Sequence, residues 1–290
     1  MGIRTPLSEE IGIEIPFMQA GMGGIGPITL ARLAAAISEA GALGTIAQPA
    51  LVLEEPGISG DELEEQIGQV VEQVRDGIRL AVSLTDRPLA INVRIAQEQP
   101  DAEHVIRAIL DERERDPKVR AQLRVLTTSG GHPRTYGLNG DIRDSGMLHF
   151  HAVHPLGAQL GYVGSRFLAS EESEYHEANK RFIVEASETQ TEVVPAFFGP
   201  ARFIENGFTE EVKALVASET PTLERMRIEG AAMRRGALEG DMETGMMIGG
   251  QGIGRIREVL PAGEIVRQIA REAEDALARA GTLLATPTSA

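Results

Sequence analysis

The feature that most restricts this chain is a repeated unit. A short β-branched or apolar run ends in glycine or small polar residues and gives way to a longer helical pattern. Repetition of this unit predicts a parallel α/β fold, because parallel neighbours need a helical crossover between them. Strands are expected at residues 14–20, 43–47, 88–93, 123–128, 147–153 and 159–163, with helices over 27–40, 60–85, 102–114 and 171–186. After Ser187 the alternation stops. A short strand at 193–198, helices at 210–216 and 222–238, and an amphipathic helix at 261–280 then read as a helical cap and a closing helix. Three units follow: a barrel-like domain over 1–186, a cap segment over 187–254, and a closing helix with a frayed tail over 255–290. No fixed-period repeat suggests a solenoid.

Composition narrows the chemistry. Among 290 residues there is no cysteine, which excludes disulfides, thiolate metal sites and a cysteine nucleophile, and suits a reducing cytoplasm. A formal charge of −15 disfavours nucleic acid and anionic membrane as partners. The opening residues hold no apolar signal region, and the most apolar stretch, 28–47, is broken by Arg32, Glu39 and glycines, so neither secretion nor a membrane span is expected.

In a parallel α/β fold the loops at the carboxyl ends of the strands form the active face. Three of them are glycine-rich: Gly21-Met-Gly-Gly24, Gly130-Gly131 and Gly164-Ser165. Each alone reads as a tight βα turn. On one rim they favour a phosphate-bearing cofactor, since bare backbone N–H groups can approach it. The Gly-x-Gly-Gly-x-Gly spelling at 21–26 is not a Rossmann fingerprint, because Thr45-Ile-Ala-Gln48 stands where an acidic strand end is required.

His149 and His151 share a face of the fifth strand, while His132 and His154 fall in rim loops. A strand histidine is more often structural than catalytic, which leaves His151 a weak candidate for proton transfer. No carboxylates join these histidines at a metal-binding spacing, so no metal is expected. Asn92 interrupts an apolar strand, where its amide can hold a ligand oxygen or satisfy a neighbour. Gln251, between two glycines, is open to the same two readings.

Several motifs in order then resemble the nitronate monooxygenase (2-nitropropane dioxygenase) family. They are Pro16-Phe-Met-Gln-Ala-Gly-Met-Gly-Gly24, Leu33-Ala-Ala-Ala-Ile-Ser-Glu-Ala-Gly-Ala-Leu-Gly-Thr-Ile46, Ile91-Asn-Val93, Thr127-Thr-Ser-Gly-Gly-His-Pro133, Gly164-Ser-Arg-Phe-Leu-Ala-Ser-Glu-Glu-Ser173 and Gly249-Gly-Gln-Gly-Ile-Gly254. The resemblance implies an FMN-dependent TIM-barrel-like (β/α) fold with a small helical cap, acting on a small-molecule substrate and O2. It implies that Ala20, Gly21 and Met22 run under the flavin ring and that Asn92 meets its polar edge. Gly164 and Ser165 then take the phosphate, Gln251 and Gly252 close the site, and Thr128 lines it. The implied reaction is oxidation of alkyl nitronates to a carbonyl compound and nitrite. FMN-dependent enoyl-acyl-carrier-protein reductases, which use NAD(P)H, share most of these motifs, and a shortened non-catalytic remnant is the third reading.

The chain departs from the family in one place. Where the family has two more βα units, one carrying its catalytic histidine, Val153 passes through His154-Pro-Leu-Gly-Ala158 into the last strand. At about 30 residues per unit, on the order of 60 residues are missing. Six strands cannot close an eight-stranded barrel, because strand number, tilt and stagger are linked. The expectation is an incomplete or irregular barrel, with strands five and six paired irregularly or left as open edges that invite homo-oligomerisation.

Overall fold

The computed structural model describes residues 2–23, 28–51, 60–95, 100–130, 140–151 and 159–282, without the side chains of Arg143 and His151. Its strands are β1 (Phe17–Gln19), β2 (Gly44–Ala47), β3 (Leu89–Arg94), β4 (Leu123–Ser129), β5 (Leu148–His151) and β6 (Gly161–Val163). All pair in parallel. A single bridge, Met18 to Leu43, joins the β6-β1 pair to the β2-β3-β4-β5 sheet, so the spatial order is β6-β1-β2-β3-β4-β5. Among the described residues β5 and β6 do not pair. The fold is a TIM-barrel-like (β/α) arrangement that the described residues leave open between β5 and β6.

Helices α1 (Pro6–Ile11), α2 (Ala31–Glu39), α3 (Gly60–Leu84), α4 (Ala102–Arg115), α5 (Pro117–Gln122) and α6 (Gly140–Asp144) precede or connect these strands. β2 and β3 are buried on both faces apart from Arg94, as parallel strands covered by helices must be. Val74, Ile78, Val105 and Ile109 from α3 and α4 pack with Ile91, Val93 and Leu126. Inside the barrel, Ile11, Ile13, Met18, Leu43, Ala90 and Val125 fill the amino-terminal end.

Two expected helices differ. The helix expected over 27–40 begins only at Ala31, because Leu30 holds a left-handed φ of 57°; Pro27 lies outside the described residues. The helix expected over 171–186 is instead α7 (Ser165–Leu168), a turn, and α8 (Glu177–Glu185). The glutamates that gave the turn a helical pattern serve other helices. Glu174 accepts the N–H groups of Thr29 and Leu30 at 3.1 and 2.9 Å, and Glu172 accepts that of Ala262 at 2.8 Å at the start of α11 (Ala262–Gly281). Such carboxylates satisfy helix N–H groups that have no intrahelical partner.

Past Ser187 the chain is not helical throughout. β7 (Thr191–Ala196) and β8 (Gly199–Ile204) form an antiparallel hairpin turning at Phe197 and Phe198. The expected strand at 193–198 thus starts earlier and has a partner, with Gly199 at φ 115° relieving the turn and Pro200 tolerated on a two-stranded ribbon. Helices α9 (Gly207–Ala217) and α10 (Thr222–Arg234) cover it, with Phe203, Phe208, Val212 and Met233 between them. The helix expected to reach residue 238 leaves α-geometry after Arg234 for a π-helical turn, Arg235–Glu239. Gly236 lies so close to Met246 that a Cβ would sit 2.6 Å from its carbonyl oxygen.

Candidate active site

At the carboxyl ends of β1, β3, β4 and β6 the rim encloses a cavity of about 380 Å³, within the usual range for small-molecule sites. Its floor is the loop Ala20, Gly21, Met22 and Gly23, with Arg94, Ser129, Gly130, Gly164 and Ser165 around it. Leu168, Tyr175, Phe197, Phe198, Met233 and Ile248 form an apolar wall. The cap hairpin thus reaches the rim through its turn.

The floor is fixed by hydrogen bonds to the neighbouring strand β6. Ala20 N–H donates to the Val163 carbonyl at 2.8 Å, and Gly21 N–H to the Tyr162 hydroxyl at 3.0 Å. A side chain at Gly21 is impossible, since its Cβ would lie 2.2 Å from Cγ of Asn92. Tyr175 donates to the Gly23 carbonyl at 3.3 Å, and burial pushes its phenol up to about 12, so it stays a donor across the physiological range. Ser165 Oγ accepts the Gly250 N–H at 3.1 Å, which leaves its own O–H to donate to a ligand.

Of the expected site residues, Ala20, Gly21, Met22, Gly164 and Ser165 come together on this cavity. Asn92 is buried beneath Gly21 and bound to its neighbours: Nδ2 donates to Thr127 Oγ1 at 2.9 Å and Oδ1 accepts from Ser129 Oγ at 3.1 Å. Thr128 is buried against Nε2 of His149 at 3.1 Å. Gln251 and Gly252 lie exposed on a 3-10 turn, Gln251–Arg255, and reach the rim only through Gly250. The His151 backbone ends β5 opposite Thr128. Its side chain, together with Gly24, Gly131, His132 and His154, lies outside the described residues. Among the described residues no group of three His, Asp or Glu side chains is placed to hold a metal ion, and no helix is long and apolar enough to cross a membrane.

Sequence reasoning missed Arg94 and its surroundings. Gln48 links the ends of β2 and β3, its Oε1 accepting Arg94 N–H at 2.8 Å and its Nε2 donating to Asp101 Oδ2 at 2.7 Å. Burial pulls the Arg94 pKa down and pushes the Asp101 carboxyl up. The missed signal is period two: Asn92 and Arg94 share one face of a strand that is otherwise apolar.

The glycine rim and the free Ser165 O–H fit a flat, phosphate-bearing cofactor. The profile of the nitronate monooxygenase family matches residues 4–124 and 143–272. The chain therefore belongs to the nitronate monooxygenase family. It is 30% identical over 135 residues to a probable nitronate monooxygenase of Bacillus subtilis, a stretch covering 45% of this chain and 39% of that protein. Over 94 residues it is 37% identical to a (3aS,4S,5R,7aS)-5-hydroxy-7a-methyl-1-oxo-octahydro-1H-indene-4-carboxyl-CoA dehydrogenase of Mycobacterium tuberculosis, covering 32% of this chain and 21% of that one. The alignments thus span well under half of these relatives' own length. Among solved structures, FabK from Thermotoga maritima in its M276A form superposes with a TM-score of 0.74 at 22% identity, covering 97% of this chain and 100% of its own. A nitroalkane oxidase from Streptomyces ansochromogenes gives 0.62 at 19%, covering 94% and 100%.

Proposed function

We propose that the protein binds FMN in the rim cavity and oxidises small alkyl nitronates with O2 to a carbonyl compound and nitrite. The observation that carries this reading is the cavity itself: a side-chain-free floor at Gly21 and Gly23, opposed by Gly164 and Ser165 and roofed by apolar cap residues. In it, residues 1–186 carry the cofactor, 187–254 cover it and 255–290 close the fold. Bound flavin supplies a two-electron acceptor that O2 can reoxidise. The chain's part is to present backbone N–H groups to the phosphate, hold the ring on the Ala20 to Gly23 floor, and exclude water with Phe197, Phe198 and Met233. The family's catalytic histidine has no counterpart in the sequence, so a nitronate, already deprotonated at carbon, is the substrate that places the least demand on a protein base.

The second reading is reduction of an enoyl thioester with NAD(P)H, favoured by the apolar wall and by the relative named for a carboxyl-CoA substrate. The third is a non-catalytic remnant whose open β5 and β6 edges pair with a second copy. One experiment separates them. The purified chain is titrated with FMN while the flavin spectrum and fluorescence are followed, then given propyl-2-nitronate with O2, or crotonyl-CoA with NAD(P)H. FMN uptake with nitrite release supports the proposal, and NAD(P)H oxidation dependent on the thioester supports the second reading. No flavin uptake overturns the first two, and a sedimentation measurement then tests the third.

A further inference from the structure

Arg94 is the single charged side chain lining the cavity among the described residues, in a chain whose net charge is −15. Its guanidinium lies against the floor: a Cβ on Gly23 would meet Nη1 at 3.1 Å and Cζ at 3.4 Å. Nε and Nη2 are shut off from solvent and have no hydrogen-bond partner in the protein. The nearby Asp101 carboxylate interacts with the guanidinium through charge but makes no hydrogen bond to it, since it gives Oδ2 to Gln48 and leaves Oδ1 without a partner. A buried guanidinium with unused donors is costly unless something accepts from it. The other cavity groups are glycines, hydroxyls and apolar side chains, none of them anionic.

We propose that Arg94 is the receptor for the anionic head of the substrate, a planar anion with two equivalent oxygens of the nitronate or carboxylate class. The alkyl end then rests against Phe197, Phe198 and Met233. Arginine suits such a head because its planar donors match two oxygens at once. This deepens the proposed function by naming what the cavity recognises, and it rests on that reading only in choosing nitronate over carboxylate. It also separates the two enzymatic readings, since an enoyl thioester presents one neutral carbonyl oxygen at its reacting end.

The test measures binding rather than turnover. Wild type, Arg94→Met and Arg94→Lys are titrated calorimetrically with butyrate and with its neutral counterpart butyramide, both without flavin and after FMN loading. FMN affinity is measured separately by fluorescence. A charge-assisted pair predicts that wild type prefers butyrate by roughly 10-fold or more, that Arg94→Met abolishes the preference, and that Arg94→Lys restores part of it. FMN affinity should stay within about 3-fold throughout, a change worth less than one charge-assisted bond. Equal binding of the two ligands to wild type, or a butyrate preference that survives in Arg94→Met, overturns the proposal. So does a parallel loss of FMN affinity, which would assign the guanidinium to the cofactor. If Arg94→Met does not fold, wild type and Arg94→Lys still decide, because the lysine variant must keep a reduced preference. If FMN never binds but the butyrate preference is present, the enzymatic reading fails while the anion site stands.

Discussion

The two halves of the open barrel are built differently. On one side β2 to β5 form a continuous sheet whose ladders run four to six residues, and α3 and α4 seal its outer face with a dry layer of Val, Ile and Leu. On the other side β1 and β6 share three residue pairs and meet β2 through one bridge. What holds that side is not sheet. Phe17 packs on Phe167 with ring centroids 6.2 Å apart, in one cluster with Leu33, Ile37, Ile183, Ile204, Met247, Ile253, Ile265 and Val266. The half with the shorter strand ladders is thus secured by the cap and the closing helix. Because the cavity lies where that half meets the cap, its shape depends on tertiary packing more than on strand pairing.

The sharpest way to break the comparison is at the seam. Gly44 begins β2 where α2 crosses it, and a Cβ there would lie 1.8 Å from the Ala34 carbonyl oxygen, backbone against backbone. Gly44→Ala should cost about 4 kcal/mol or more and leave little folded protein, as measured by denaturant unfolding. Next come two core truncations, one in each half. Phe167→Ala and Ile109→Ala should each cost about 3 kcal/mol, since both side chains are fully buried. At a temperature where both variants remain folded, only Phe167→Ala should weaken ligand binding in the cavity, because Phe167 adjoins Leu168 and Ser165 on its wall. Equal binding by the two variants would show that the cavity does not depend on the cap-held half.

A smaller effect belongs to the sheet half. Glu112 on α4 is buried, which by itself pushes its carboxyl up. Hydrogen bonds from Arg79 and Arg75 on α3, at 2.8 to 3.0 Å, outweigh this and hold it below the ordinary range. A depressed folded-state value means the pair stabilises fully above the unfolded glutamate value of about 4.3 and loses that contribution as pH falls through the folded value. Glu112→Gln should therefore cost about 2 kcal/mol at pH 7, with the gap to wild type closing progressively below about pH 4. A gap independent of pH would mean that packing, not charge, joins α3 to α4.

Much of this was legible in the residues. The first four strands and the helices α3, α4 and α11 lie within a few residues of their expected places, because each carries its own period and its own glycine or proline stops. The gap in the barrel could also be anticipated, since six strands cannot meet the closure geometry of eight. The segment 171–186 was not legible. Glu172 and Glu174 read as ordinary helix-forming residues, yet they cap helices about 90 residues later and 145 residues earlier in the chain, and nothing local encodes that. The cap hairpin was half visible, its second strand hidden by Gly199 and Pro200.

For the candidate site the division is similar. The sequence by itself determined the glycine floor and the Gly164-Ser165 rim, because only residues without bulk let backbones approach there. It also determined which strand ends carry them. Only the tertiary structure decided that Asn92 turns to Thr127 and Ser129, and that Gln251 stands away from the cavity. It alone brought Arg94 to the floor with donors unused. Whether a polar side chain is satisfied depends on neighbours from other strands, and that partnership exists only once the sheet has closed around it.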